Sequence, residues 1–187
     1  MPTPKQNAIQ QAKYFAAMNP VYLDTETTGT DHNAQIVEIC VLDADGRVLV
    51  DSLVKPTAPI SPDLERFHGI TNALVQNAPT WKELWPHLEA ALTGRRVAIY
   101  NAEFDVRLMQ QSHQQNKLKW TFDTSRTFCI MQLYAQFYGQ RNTRYGGYRW
   151  QSLDDARRQC GLSLPNSHRA KADAELARAV LHYMASR

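Results

Sequence analysis

Apolar positions in this chain fall first in strand-like runs and later in helix-like ones. Val21-Tyr22-Leu23 is an apolar run too short for a helix, and the polar string Asp24 to Asp31 follows it. A buried strand running into a loop is the reading. Ile36 to Leu42 is apolar except for Glu38, Asp45-Gly46 is a hairpin turn signal, and Arg47 to Val54 alternates as a return strand. The front of the chain therefore predicts three antiparallel strands. An amphipathic helix over Pro4 to Met18 precedes them, with Ile9, Ala12, Tyr14, Phe15 and Met18 available for packing.

Helical units follow. Ser61 caps a short helical turn with Pro62 at its first position. Thr80-Trp81-Lys82-Glu83 is a capping box that opens a helix through Leu92, which Pro86 is expected to distort. Val97 to Tyr100 reads as a fourth strand and Ala102 to Gln115 as a helix. Phe122-Asp123-Thr124 reads as a short fifth strand before a helix from Arg126 to Phe137. A loop rich in Gly, Arg and aromatics spans Gln140 to Trp150. Ser152, with Asp155 in the capping-box position, opens a helix ending near Gly161, and Ala170 to Met184 is the terminal helix. Strands followed by alternating strand and helix predict an α/β fold, a mixed sheet with helices on both faces. No repeat or linker divides the chain, so one domain over 1–187 is expected, with 1–18 as an N-terminal helical extension.

Composition narrows the class. The chain has 187 residues, 43% of them hydrophobic, enough to bury a core. No run of about 18 apolar residues suggests a membrane span, and the polar start lacks the apolar stretch of a secretory signal. Cys40, Cys129 and Cys160 are far apart and odd in number, which suits reduced thiols in a cytoplasmic protein. The formal charge of +3 is modest but uneven. Between Gly139 and Lys171 stand Arg141, Arg144, Arg149, Arg157, Arg158, Arg169 and Lys171 against Asp154 and Asp155. Such an excess favours a polyanionic partner, or else forms a solvated basic face.

Three polar clusters carry candidate chemistry. Asp24 and Glu26 fall where the first strand ends, and alternation puts both on one face, where two carboxylates can share a hard cation. The same spacing recurs at Asp63/Glu65 and Asp173/Glu175, but only Asp24 follows a strand-like run. Asp105, within Tyr100-Asn101-Ala102-Glu103-Phe104-Asp105, sits in a first helical turn, where an acid is also favoured by the helix dipole. His168 precedes the terminal helix and Asp173 lies on its first or second turn. A histidine there is alternatively a cap or a packing residue. Asp123, Asp154 and Asp155 read as helix starts, and Trp81, Trp85 and Trp120 as packing residues.

Together the clusters resemble the DEDD superfamily of 3′→5′ exonucleases, the DnaQ-like enzymes. Asp24-x-Glu26 matches the first motif, Asn101-x-x-Phe104-Asp105 the second, and His168-Arg169-Ala170-x-x-Asp173-Ala174 the third. The histidine five residues before the last Asp resembles the DEDDh branch. Asp24-Thr25-Glu26-Thr27-Thr28-Gly29 and Phe67-His68-Gly69-Ile70-Thr71 extend the match, which spans Val21 to Met184. One departure is Tyr100, where the family commonly has His; altered packing and retained activity are expected.

The resemblance implies a ribonuclease-H-like mixed five-stranded sheet and a divalent-metal-dependent hydrolysis of terminal phosphodiesters of DNA or RNA that releases nucleoside 5′-monophosphates. It implies two ions, Mg²⁺ with Mn²⁺ as substitute, on Asp24, Glu26, Asp105 and Asp173, with Asp24 bridging both. His168 is the implied general base, a role imidazole suits near neutral pH. Thr27, His68, Asn101 and Phe104 are implied substrate-binding residues, Phe104 alternatively packing in the core. The implied partner is a nucleic acid with a free 3′ end, single-stranded, and the implied roles are DNA repair and proofreading. An alternative is a proofreading or adaptor subunit that docks on a polymerase carried by a separate chain. The loop at Gln140 to Trp150 has two readings: arginines tracking phosphates with an aromatic stacking a base, or an anchored surface loop with solvated arginines.

Overall fold

The structure is a computed structural model that describes residues 1–165 and 167–187. Its centre is a five-stranded sheet in the order β3-β2-β1-β4-β5. The strands are β1 (Val21–Thr27), β2 (Ile36–Leu42), β3 (Val48–Leu53), β4 (Val97–Ile99) and β5 (Thr127–Cys129). β1 pairs antiparallel with β2 and parallel with β4, so both of its edges are hydrogen-bonded and it is the central strand. β2 pairs antiparallel with β3, and β4 parallel with β5. The sheet is thus mixed, as the sequence predicts.

Eight α-helices complete the described chain: α1 (Pro4–Ala17), α2 (Pro62–His68), α3 (Asn72–Val75), α4 (Trp81–Leu92), α5 (Ala102–Gln115), α6 (Ile130–Tyr138), α7 (Leu153–Cys160) and α8 (Ala170–Ala185). Strand alternation sorts the sheet's side chains into two cores. Tyr22, Cys40, Leu42, Ala98 and Phe128 face one side and pack with α1, α6, α7 and α8. Val21, Leu23, Ile39, Val41, Val97 and Ile99 face the other and pack with α4 and α5. Cys40 and Cys160 are buried as free thiols.

Local signals explain the helix starts. Thr3 and Thr80 each form a reciprocal capping box, with Gln6 and Glu83. Ser61 and Ser152 accept from the N–H of Leu64 and Asp155. α2 ends at Gly69 and α6 at Gly139, both left-handed, a conformation in which any other residue is strained. α4 passes through Pro86 without a break. Pro86 has no N–H to give the preceding turn, so the carbonyl of Lys82, four residues back, receives no helix hydrogen bond from it.

Two boundaries differ from expectation. The fifth strand is Thr127–Cys129, not Phe122-Asp123-Thr124. Asp123 accepts from the N–H of Ser125 at 3.1 Å and turns the chain into a 3₁₀ turn over Thr124–Arg126. Parallel pairing with β4 begins only at Thr127, opposite Val97. The next helix therefore starts at Ile130 rather than Arg126, its Met131 N–H donating to the Tyr100 carbonyl at 2.8 Å. The four-residue α3, capped by Thr71, is too short to leave a periodic signal.

Candidate active site

Three elements meet at the C-terminal end of β1. Asp24 and Glu26 share the sheet face of Tyr22 and look toward α8, while Thr25 between them looks toward α5. Asp173 projects from the first turn of α8 and Asp105 from the first turn of α5. Carboxylate oxygens of Asp24, Glu26 and Asp173 lie within 4.8 Å of one another. Asp105 joins them from the far side of the strand, where its Oδ1 accepts the Thr25 hydroxyl at 2.7 Å.

Gathering acids this closely is costly in a dry site, and their titration reflects it. Burial raises the Asp24 carboxyl well above its ordinary value, and the charges of Asp105, Asp173 and Glu26 add to the shift. Glu26 is pushed up to about 8, by burial first and then by Asp173 and Glu38. Burial lifts Asp105 to about 7 against hydrogen bonds that favour its charged form. Asp173 rises to about 6, again through burial, with His168 pulling the other way.

The donor set suits a hard divalent cation, which prefers several carboxylate oxygens. Two observations fit it. Oδ1 of Asp173 is buried with no hydrogen-bond partner among the described residues. The guanidinium of Arg169, whose charge reaches Glu26, is hydrogen-bonded to Glu38. Among the described residues no Lys or Arg forms an ion pair with Asp24, Glu26, Asp105 or Asp173. A cavity of about 290 Å³ beside Trp85, Phe122 and Arg126 is lined by none of these acids.

His168 stands at the rim with 41% of its side chain exposed. Its Nδ1 lies 4.0 Å from Oδ2 of Asp173, and its ring stacks on Phe67 with centroids 4.0 Å apart. A φ of 50° places it in the left-handed region, strained for a residue with a Cβ.

This arrangement has close relatives among known proteins. A family model described as Exonuclease, RNase T, matches residues 21–181. The chain belongs to the RNase T exonuclease family. It is 36% identical over 181 residues to an uncharacterized exonuclease of Escherichia phage 186, covering 94% of this chain and 93% of that one. It is 29% identical over 172 residues to the DNA polymerase III subunit epsilon of Pasteurella multocida, covering 83% of this chain and 64% of the subunit. Among solved structures, Exonuclease X in complex with 5′ overhanging duplex DNA aligns with a TM-score of 0.65 and 26% identity over 89% of this chain and 91% of that one. The fold is the ribonuclease-H-like one, and the protein is an exonuclease of the DEDD superfamily, whose members use divalent metal ions.

The remaining predicted site residues of this exonuclease lie around the acids. Thr27 is buried and its hydroxyl donates to the Gly29 carbonyl at 2.6 Å. His68 is 3% exposed. Its Nδ1 accepts from the Ile70 N–H at 3.0 Å, which places the proton on Nε2, and burial lowers its pKa. Asn101 is the N-cap residue of α5 but makes no side-chain cap bond. Phe104, half-buried, packs against the α4–α5 core with the Arg107 guanidinium 5.3 Å from its ring centroid. The other two Asp-x-Glu pairs differ: Asp173 of Asp173/Glu175 belongs to the cluster, whereas Asp63/Glu65 has partners of its own. Asp63 pairs with Arg66, and Glu65 accepts from Asn72, within α2 and its flank.

Three neighbours escape the motif reading. Glu38 faces Glu26 across the β1–β2 ladder and is 4% exposed. Its signal is a lone acid in an otherwise apolar strand. Thr25 holds Asp105, and Phe67 covers His168; neither leaves a periodic or compositional trace.

Proposed function

We propose that this exonuclease removes nucleotides one at a time from the 3′ end of DNA or RNA, releasing nucleoside 5′-monophosphates. The convergence of Asp24, Glu26 and Asp173 within 4.8 Å, with a buried unpartnered oxygen on Asp173, carries this reading. Asp24, Glu26 and Asp173 would hold one divalent ion and Asp24 with Asp105 a second, Mg²⁺ or Mn²⁺. Such ions, when bound, activate the attacking water and stabilise charge on the phosphoryl group and the leaving 3′ oxygen.

The chain's own groups supply the rest. With Nδ1 facing Asp173, His168 has Nε2 available to take the proton of the attacking water. Asp173 steadies the imidazolium that results. The Thr25 hydroxyl fixes the Asp105 carboxylate, so its position is set before substrate arrives. Thr27, His68, Asn101 and Phe104 form the bed for the terminal nucleotide. Residues 1–187 act as one domain, since α1 buries Ala8 and Ala12 in the core it shares with α6 and α8.

Similarity to the polymerase III epsilon subunit supports a second reading, a proofreading role beside a polymerase chain. A catalytically silent adaptor is disfavoured because all four carboxylates and His168 are present.

Single substitutions of Asp24, Glu26, Asp105 and Asp173 by Ala test the assignment. Each is expected to abolish metal-dependent cleavage while the circular dichroism spectrum stays that of the parent. Near-parental, metal-dependent turnover in Asp24→Ala would overturn it.

A further inference from the structure

The arginines between Gly139 and Lys171 divide into two groups. Arg157 and Arg158 pair with Asp154 and Asp155 on α7, and Arg169 pairs with Glu38. Arg141, Arg144 and Arg149 have no carboxylate partner among the described residues. All three are exposed, and all lie on one short excursion between α6 and α7.

That excursion is an ordered hairpin. Arg141 and Tyr148 form an antiparallel bridge, and the Arg149 N–H donates to the Gln140 carbonyl at 2.8 Å. At its tip the side chain of Asn142 accepts from the N–H groups of Arg144 and Tyr145, both at 3.1 Å. Gly146 and Gly147, at φ of 74° and 69°, bring the chain back. The arginines lie against aromatic rings: Arg141 is 4.8 Å from the centroid of Tyr148, and Arg144 is 5.1 Å from that of Tyr145. Tyr145 is nonetheless 77% exposed and Trp150 57%. Unpaired guanidinium groups interleaved with open aromatic faces suit single-stranded nucleic acid, which offers phosphates to the one and bases to the other.

The hairpin is tied to the catalytic end of the sheet. Gln151 is buried and its side chain donates to Gln140 Oε1 at 3.2 Å and to the Arg149 carbonyl at 3.0 Å, gripping both strands of the hairpin. The Tyr100 hydroxyl in turn donates to the carbonyls of Gln151 and Ser152, at 3.0 and 3.1 Å. Tyr100 immediately precedes Asn101, from which α5 and Asp105 begin. A histidine in place of Tyr100 would carry its ring nitrogens nearer the backbone than the phenolic oxygen and fall short of these carbonyls.

We propose that residues 140–149 form an arm that binds the single strand upstream of its 3′ end, and that Tyr100 with Gln151 fixes this arm to the active site. The proposal rests on the exonuclease reading above and extends it to how the enzyme engages long strands.

The test compares the parent with R141A/R144A/R149A, with the corresponding triple lysine variant, with Y145A and with Y100F. Binding of 5′-fluorescent oligodeoxythymidine and oligouridine strands is followed by anisotropy in EDTA over a salt series, and dinucleotide hydrolysis is followed with Mg²⁺. Loss of three phosphate contacts should cut the slope of log K against log salt by about 2, at roughly 0.7 per phosphate on single strands. The lysine variant should keep that slope. Tyr145→Ala should weaken long-strand binding about tenfold, Tyr100→Phe should weaken it too, and dinucleotide hydrolysis should stay unchanged in all four. Whichever strand loses more affinity, deoxy or ribo, is the one the arm prefers. Parental affinity and salt slope for both strands in the triple alanine variant would overturn the arm, and parental long-strand binding by Y100F would overturn its tie to Tyr100. A parent enzyme that shows the arm-dependent slope but hydrolyses nothing would instead overturn the proposed function.

Discussion

The carboxylate of Glu38 on β2 receives Nε of Arg169 at 3.0 Å and the backbone N–H of Ala170 at 2.9 Å. Arg169 is the N-cap residue of α8 and has no side-chain cap bond of its own, so the sheet supplies the cap that the helix lacks. His168 lies just before this anchor and Asp173 one turn beyond it. The position of both rests on an acid from a different strand.

Replacing Glu38 by Ala should therefore lower both stability and turnover. Hydrogen bonds to charged groups contribute about 1.5–3 kcal/mol, and a chain of this size shifts Tm by about 2–4 °C per kcal/mol. Arg169 is half exposed, which screens its share and favours the lower end. Glu38→Gln keeps an acceptor for the Ala170 N–H and should fall between the parent and the alanine variant. Thermal unfolding alongside kcat checks this; equal values in all three proteins would leave Glu38 with no positioning role.

The acid cluster sets a pH dependence with a definite sign. Glu26, Asp105 and Asp173 are held near 8, 7 and 6, each above its unfolded value of about 4. The folded protein thus keeps more protons than the unfolded one across that window. Stability contributed by these groups is full below the unfolded pKa and is lost as pH rises through 6 to 8. Asp24→Asn removes one of the repelling charges and should raise Tm in EDTA at about pH 8 more than at about pH 5. The difference between the two proteins isolates the cluster from His68, His113 and His182, whose lowered pKa values act in the opposite sense. A Tm difference that shrinks as pH rises would contradict the origin of these shifts.

His168→Ala should reduce kcat by about 10²–10⁴-fold, the usual contribution of a positioned base, and leave substrate affinity nearly intact. Phe67→Ala should reduce it less, by releasing the ring stacked at 4.0 Å rather than removing the base. Single-turnover rates across a pH series separate the two: His168→Ala is slow throughout, and Phe67→Ala falls between it and the parent. A parental profile in His168→Ala would make that residue structural.

Much of this was legible in the sequence because strand and helix periods differ. The apolar run of β2, interrupted only by Glu38, and the capping box at Thr80 place their elements within a residue or two. Asp24 and Glu26 are legible because alternation alone puts them together. β5 was not, because it has only three residues and its start is set by pairing with Val97, a tertiary fact. The basic stretch also changed meaning. Its net sign is visible in the sequence, but only the ion pairs on Asp154, Asp155 and Glu38 separate the neutralised arginines from the open ones. Glu38, Thr25 and Phe67 act across elements, and no spacing in the chain records that.

Metal-dependent shortening from the 3′ end is read out by the polarity of digestion. Purified protein is incubated with 5′-labelled single-stranded DNA and RNA, in Mg²⁺ and in EDTA, and the products are resolved by length. A ladder of labelled strands shortening by single nucleotides is expected in Mg²⁺, and intact strands in EDTA. Immediate release of the labelled 5′ nucleotide, internal cuts without a ladder, or equal digestion in EDTA would contradict it.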